Sequence, residues 1–301
     1  EGVELRKNNI AVPIMVMNAS EEAFEIIAQY NLEPVVYSLP ILKSLVDFVQ
    51  SAPLNIHLEV ETGMNRLGLS AEDLTDAIDM IRSCPQLVVA SVFSHLAGAD
   101  EKQHDDYSRE QADRFNQAYQ KISSGLNQNP IRHLLNSPGI LRLSDHQMDM
   151  VRLGIGLYGI DPTAEINDQL KSVVTLKSVI SQVKHLKPGE TVGYGRWGKA
   201  NQAMTIATIA IGYADGFSRS FSKGVGKVWV GGQRAPVIGN VCMDMTMIDI
   251  TGIEAREGDE VIIFGEQLSV QEVAASIKTI PYEILTSTSE RVKRVFYTES
   301  I

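Results

Sequence analysis

The 301-residue chain has little that would tie it to a membrane, a nucleic acid or a metal. No apolar run reaches the roughly 18–20 residues of a membrane-spanning helix. The opening Glu1-Gly2-Val3-Glu4-Leu5-Arg6-Lys7 lacks a signal-peptide pattern. Only two cysteines occur, Cys84 and Cys242, far apart in the sequence. They read as reduced, buried thiols of a cytoplasmic protein. Six dispersed histidines and two distant cysteines give no zinc-ligand spacing, so no metal is expected. A net charge of −10 argues against nucleic acid or an anionic membrane as partner. No Gly-x-Gly-x-x-Gly follows the first strand-like run, and neither a P-loop nor a nucleophile elbow is present. What the chain does have is apolar material, 44%, enough for one large domain or two ordinary ones. It does not begin with Met and starts as if inside an element, so residues upstream are expected.

The first half alternates strand-like and helix-like blocks. Strands are predicted at Ile10–Met17, Pro34–Tyr37, Leu54–Val60, Leu87–Phe93, Ile131–Leu135 and Met148–Leu153. Between them, Ser20 can cap a helix carrying Phe24, Ile27 and Tyr30. Ile41, Leu42, Leu45, Val46 and Val49 recur at helical spacing. Ser70-Ala-Glu-Asp73 resembles a capping box. A long helix is predicted over Asp106–Gly125, and a short one from Ile140. This rhythm calls for parallel strands with helical crossovers. An open doubly wound sheet and a (β/α)8 barrel both fit. A barrel needs eight strands, so with six either the fold is open or two β-α units are missing from the front.

The texture changes after about Pro162, with a polar joint near Ala164–Asp168. Val173–Leu186, Met204–Gly212, Lys227–Val230, Ala235–Ile238, Val241–Ile250 and Val261–Phe264 are strand-like and mostly antiparallel. Gly231-Gly232 marks a turn, and Ser269-Val-Gln-Glu272 caps a helix over Val270–Lys278.

Polar residues gather at the predicted strand ends: Asn18, Glu61 to Arg66, Ser94-His95, Asn136-Ser137 and Arg152. That is the face where parallel barrels collect function. Arg152, followed by Gly154, Gly156 and Gly159, reads as a short buried strand running into a glycine-spaced turn that could approach an anion. On this stretch alone a strand, a tight turn and packing glycines without a ligand is the favoured reading. Glu59 on a buried strand wants a cation, and Arg66 is the candidate.

Together these pieces resemble alanine racemase, from end to end of the chain. The segments are His57-Leu-Glu-Val-Glu-Thr-Gly-Met-Asn-Arg-Leu-Gly68, Phe93-Ser-His-Leu-Ala-Gly-Ala-Asp100, Asn136-Ser137, Val151-Arg-Leu-Gly-Ile-Gly-Leu-Tyr-Gly159, Gly193-Tyr-Gly195, Ile211-Gly-Tyr-Ala-Asp-Gly216, Gly239-Asn-Val-Cys-Met-Asp244 and Pro281-Tyr-Glu283. The resemblance implies a (β/α)8-type barrel portion holding pyridoxal 5′-phosphate over residues 1–167. A mainly antiparallel β domain would follow over residues 168–301. It also implies a homodimer with shared active sites, and interconversion of L- and D-alanine, which supplies D-alanine for peptidoglycan. A broad-specificity or serine racemase is the neighbouring reading. A non-catalytic, dimerising racemase-like domain of a larger fusion is the reading from another class.

The same resemblance assigns residues. Arg152 would meet the pyridine nitrogen of the cofactor. Asn136, Ser137, Gly154, Ile155 and Tyr282 would surround its phosphate. Arg66 would reach the phenolic oxygen or the substrate carboxylate. Met243 and Asp244, from the partner, would line the carboxylate site. Tyr194, also from the partner, would be one base. Free tyrosine, with a pKa of about 10, is a poor base near neutrality, and His95 leaning on Arg152 would supply the activating network. Where many members carry a carbamylated lysine this chain has Glu59, so a Glu59–Arg66 contact is expected. The family's Lys-Ala-Asn-Ala-Tyr-Gly motif, with the lysine that tethers the cofactor, has no counterpart here. The 301 residues alone are therefore expected to be inactive or nearly so.

Overall fold

Parallel strands need a crossover between them, and helices supply it here. The computed structural model describes residues 1–49, 52–163, 165–166 and 169–297. It divides into two units. One comprises Glu1–Gly156 and Asp161–Glu165; the other, Leu157–Ile160 and Ile166–Ile301. The expected joint at Ala164–Asp168 falls partly outside the described residues, which omit Ala164, Asn167 and Asp168.

The first unit runs α1 (Gly2–Lys7), β1 (Met15–Val16), α2 (Phe24–Gln29), β2 (Glu33–Val36), α3 (Leu39–Phe48), β3 (Leu54–Glu59), α4 (Asp73–Ser83), β4 (Leu87–Phe93), α5 (Asp105–Leu126), β5 (Ile131–His133) and α6 (Ser137–Arg142). All its strand pairings are parallel. The order is β1-β2-β3-β4-β5, each strand beside its predecessor. A doubly wound sheet reverses direction at a switch point; this one does not. Sequential winding is that of a barrel. Leu42 and Leu45 of α3, Leu74 and Ile81 of α4, and Phe115 and Ile122 of α5 are buried, packing with Ile56, Leu58, Val89 and Val92 of the sheet. The Ser70–Asp73 capping box forms in both directions: Asp73 N–H donates to Ser70 Oγ at 3.3 Å and Ser70 N–H to Asp73 Oδ2 at 2.9 Å.

Several expectations are corrected. Met148–Leu153 is not a sixth strand, nor is it buried. Met148 takes a positive φ of 55°, and the Asp149 carboxylate turns back onto Arg132 at 2.9 Å. Only an isolated bridge between His133 and Met150 remains of the ladder. The strand predicted over Ile10–Met17 shrinks to two residues, and the helix predicted from Ile140 begins at Ser137. Ser20 stands at the N-cap position without capping the backbone.

The second unit carries β6 (Leu176–Leu186), β7 (Thr191–Val192), β8 (Gly198–Lys199), β9 (Met204–Ile209), β10 (Lys227–Val230), β11 (Gln233–Pro236), β12 (Thr246–Asp249), β13 (Glu260–Phe264), α7 (Val270–Ser276) and α8 (Pro281–Ser287). Six of these strands form one sheet, β11-β10-β13-β6-β9-β12, antiparallel throughout. An antiparallel bridge, Val237 to Ile248, joins its two ends, so the sheet closes on itself. Val228, Val230, Ile209, Ile248, Val261 and Ile263 are buried. The β10–β11 hairpin turns at Gly231-Gly232, both at positive φ as such a two-residue turn requires. The strand expected over Val241–Ile250 is confined to Thr246–Asp249, because residues 242–244 lie against the Gly212 turn instead. Tyr213 N–H donates to Cys242 O and Ala214 N–H to Met243 O, both at 3.0 Å. Gly212 permits this: a Cβ there would sit 2.3 Å from Met243 O. Cys84 and Cys242 are both free thiols, and Cys242 is half-buried rather than buried. Among the described residues no helix is long and apolar enough to cross a membrane.

Candidate active site

The C-terminal ends of β3, β4 and β5 deliver polar groups to one region of the first unit. β3 ends in Glu59, buried at 3% exposure. Its loop carries Thr62 and Arg66 and is pinned where Leu69 N–H returns to Glu59 O at 2.8 Å. β4 ends at Phe93 and presents Ser94 and His95. Thr62 Oγ1 and Ser94 Oγ lie 2.7 Å apart. Gln111 of α5, fully buried, holds this turn: its side chain donates to His95 O at 3.0 Å and accepts from Ala97 N–H at 2.9 Å. β5 leads to Asn136, whose Oδ1 accepts Gly139 N–H and caps α6.

Arg152 is the hub. Its guanidinium donates to Ser94 O at 2.6 Å, Leu134 O at 3.1 Å, His133 O at 3.2 Å and His133 Nδ1 at 2.7 Å. His95 Nδ1 lies 3.5 Å from Nη2. Both Nη groups are therefore directed into the protein. The Nε–H has no acceptor among the described residues. The Arg152 side chain lies over the Phe93 ring, 5.1 Å from its centroid. Burial pushes the Arg152 pKa down to about 10, with Glu59 opposing, so it remains a cation at neutral pH.

Burial and the charges of Arg152 and Arg66 drive His95 down to about 4. Burial first, then Arg152 and His57, drive His133 to about 3. Both imidazoles are neutral near pH 7. Burial raises the Glu59 pKa, against the pull of Arg66 and Arg152. The expected direct Glu59–Arg66 contact is not formed. Neither side chain has a hydrogen bond or ion pair among the described residues, and Arg66 is exposed. Arg66 acts on Glu59 through space, at a range beyond an ion pair.

Ser137, at the start of α6, is buried, and its Oγ accepts Gly154 N–H at 2.9 Å and Gly156 N–H at 3.3 Å. A hydroxyl holding two amides keeps its own O–H to donate. A Cβ on Gly154 would meet nothing closer than Ser137 Oγ at 3.7 Å, so the space on the Cβ side of this residue is open. Ile155, the next residue, is buried.

The first unit thus gathers Arg66, His95, Asn136, Ser137, Arg152, Gly154 and Ile155 of the predicted site. Tyr194, Met243, Asp244 and Tyr282 belong to the second unit. Tyr194 is 74% exposed on a turn with positive φ at Gly193, Gly195 and Arg196, and Asn240 Nδ2 holds its carbonyl at 3.0 Å. Met243 is exposed on the 242–244 segment. Asp244 Oδ1 pairs with Arg291 at 2.5 Å, and the same guanidinium reaches Asp215 at 2.9 Å. The pattern reading missed His133, His57, Ser91 and Gln111. Three of these interrupt apolar strands at inward positions, which was the available signal.

Comparison with known proteins agrees with this layout. Residues 1–162 match the family described as alanine racemase, N-terminal domain, and residues 173–296 match alanine racemase, C-terminal domain. The alanine racemase of Clostridium kluyveri is 37% identical over 308 residues, covering 98% of this chain and 78% of the relative. That of Sorangium cellulosum is 38% identical over 318 residues, covering 99% and 82%. Among solved structures, alanine racemase from D-cycloserine-producing Streptomyces lavendulae superposes with a TM-score of 0.91 at 29% identity, covering 99% of this chain and 81% of that one. The Bartonella henselae enzyme, solved with covalently bound pyridoxal phosphate, gives 0.88 at 29% identity, covering 99% and 83%. With both halves matched in order across nearly its whole described length, the chain belongs to the alanine racemase family.

Proposed function

We propose that the chain serves the pyridoxal 5′-phosphate-dependent interconversion of L- and D-alanine, a reaction needing a base on each face of the α-carbon, of which these 301 residues supply one. The carrying observation is the Nε–H of Arg152, a fixed cationic donor without an acceptor among the described residues, at the end of a parallel sheet. A pyridine nitrogen supplies the matching lone pair. When bound, the cofactor withdraws electrons from the α-carbon of an amino acid and so acidifies its proton. Arg152 sets how far that goes. A guanidinium does not readily give up a proton, so Arg152 would leave a ring nitrogen it met unprotonated and the bound cofactor a moderate electron sink. That limits charge spread and suppresses side reactions such as transamination.

The phosphate fits the other feature. The Gly154 and Gly156 amides hold the Ser137 oxygen, which leaves the Ser137 O–H to donate to an anion beside the open space at Gly154. Asn136 lies one residue before, and Tyr282 is assigned to the same role from its place in the Pro281-Tyr-Glu283 segment. Arg66, exposed and without an ion-pair partner among the described residues, suits the cofactor's phenolic oxygen or the substrate carboxylate. His95 accepts from Arg152 through Nδ1, which leaves its N–H on Nε2 to orient a hydroxyl.

Tyr194 is the proposed base for the α-proton, received at its phenolate oxygen to give the phenol. Its exposure suits a side chain that enters a second copy of the chain, with Met243 and Asp244 lining the carboxylate end. The homodimer, the cytoplasmic location and the division at residues 167–168 are parts of the same reading.

The test is α-proton exchange in D2O with added pyridoxal 5′-phosphate, which reports one base at a time. Alanine should exchange at least as fast as serine. Preferential exchange of serine would move the reading to a serine racemase, and cofactor binding without any exchange would contradict a catalytic role. A companion variant isolates the phosphate site. Gly154→Val should weaken binding of pyridoxal 5′-phosphate by about tenfold or more through lost close approach, with an unchanged melting temperature, because the added side chain points into open space.

A further inference from the structure

A line of buried polar side chains crosses the sheet of the first unit and ends on Arg152. Glu33 of β2, His57 of β3, Ser91 of β4 and His133 of β5 are each at most 8% exposed. Glu33 Oε2 lies 2.9 Å from His57 Nε2, and Asn55 Nδ2 donates to Glu33 Oε1 at 2.9 Å. His57 Nδ1 is 2.6 Å from Ser91 Oγ. Ser91 Oγ is 2.9 Å from His133 Nε2, and His133 Nδ1 is 2.7 Å from Arg152 Nη1. We propose that Glu33 is a positioning residue for Arg152, acting through this relay to keep an acceptor nitrogen facing the guanidinium. The proposal rests on the reading above for what Arg152 does, and it extends the site by four residues.

Direction follows from donor chemistry. Arginine can only donate, so His133 Nδ1 accepts. A neutral His133 then carries its proton on Nε2 and donates it to Ser91. Ser91 in turn donates to His57 Nδ1, which places the His57 proton on Nε2, facing Glu33. The carboxylate, already accepting from Asn55, accepts this too. Every bond runs the same way, from guanidinium to carboxylate. Reversal would put an N–H on His133 Nδ1 against the N–H of Arg152. Burial holds both imidazoles neutral, consistent with a relay that has one proton per link. Phe93 stacks on His133 with centroids 4.9 Å apart and planes 7° from parallel, so the ring is also held in its plane.

The experiment is nitrogen-15 NMR on the cofactor-free chain, with histidines assigned by single substitutions. The wild type should show His57 and His133 neutral, each with its proton on Nε2. Glu33→Gln keeps an oxygen for His57 and should preserve both tautomers. Glu33→Leu removes the acceptor, so His57 should move its proton to Nδ1. Hydrogen exchange of the Arg152 guanidinium should then accelerate by about tenfold, as expected when a buried hydrogen bond is lost. Ser91→Ala cuts the relay at its middle and should have the same effect on Arg152, should Glu33→Leu fail to fold. A wild type with the proton on Nδ1 of either histidine would overturn the proposal. So would a folded Glu33→Leu or Ser91→Ala chain with Arg152 exchange unchanged. A wild type with the expected tautomers that does not bind pyridoxal 5′-phosphate would support the relay while removing the cofactor reading.

Discussion

Arg152→Met should destabilise the first unit by roughly 3–5 kcal/mol, the range for removing one partner from a buried, multiply bonded charge site. It should also weaken pyridoxal 5′-phosphate binding at least about tenfold, one lost charge-assisted hydrogen bond being worth roughly 1.5–3 kcal/mol. The structural cost has identifiable parts. Ser94 O, Leu134 O, His133 O and His133 Nδ1 all lose their donor. Glu59, already buried, loses one of the two cations that favour its ionised form. Arg152→Lys keeps the charge but has three donors on one atom in place of a planar fork. It should recover part of the stability and little of the cofactor affinity, since the Nε–H is not replaced. Urea unfolding followed by a probe in the first unit measures the first effect, and cofactor titration the second.

Acid should destabilise the chain well before its carboxylates dominate. His95 and His133 titrate near 4 and 3 in the folded state, against about 6.5 when unfolded. The unfolded chain therefore binds more protons between those values. Stability is complete above pH 6.5 and is lost as pH falls through that window, at a limiting slope of about 1.4 kcal/mol per pH unit for each group. Glu59 works the other way. Its raised folded pKa means the folded chain takes up a proton first on acidification, which offsets part of the loss. His133→Gln should flatten the decline, and Glu59→Gln should steepen it while stabilising the chain at neutral pH. Melting temperature from pH 7.5 to 4 distinguishes these outcomes. A flat profile for the wild type would show that the imidazoles do not stay neutral.

Local rules read much of this fold. Leu87–Phe93 and Lys227–Val230 have the bounds that apolar pattern and flanking turns predict. The capping residues Ser70 and Ser269 bind the amides expected of them. The failures have physical causes. Met148–Leu153 is as apolar as a strand, but a left-handed residue and the Asp149–Arg132 pair divert it. Residues 241–245 are apolar enough for a strand, yet pair backbone to backbone with the Gly212 turn. The site was legible in part, since one polar cluster per strand end is a property of sequence. That Arg152 faces His133 rather than relying on His95 is not, because the partners come from strands separated by whole helices. Glu59 shows the limit of pair reasoning. A buried carboxylate needed a cation, but it receives two at a distance and neither in contact.

The most direct measurement is the nitrogen-15 shift of the pyridine nitrogen in labelled pyridoxal 5′-phosphate bound to this chain at pH 7. A resonance in the unprotonated range, lost or shifted in Arg152→Met, is the predicted result. A pyridinium resonance, or one indifferent to that substitution, would contradict the assignment of Arg152 as the residue that keeps the ring nitrogen free of its proton.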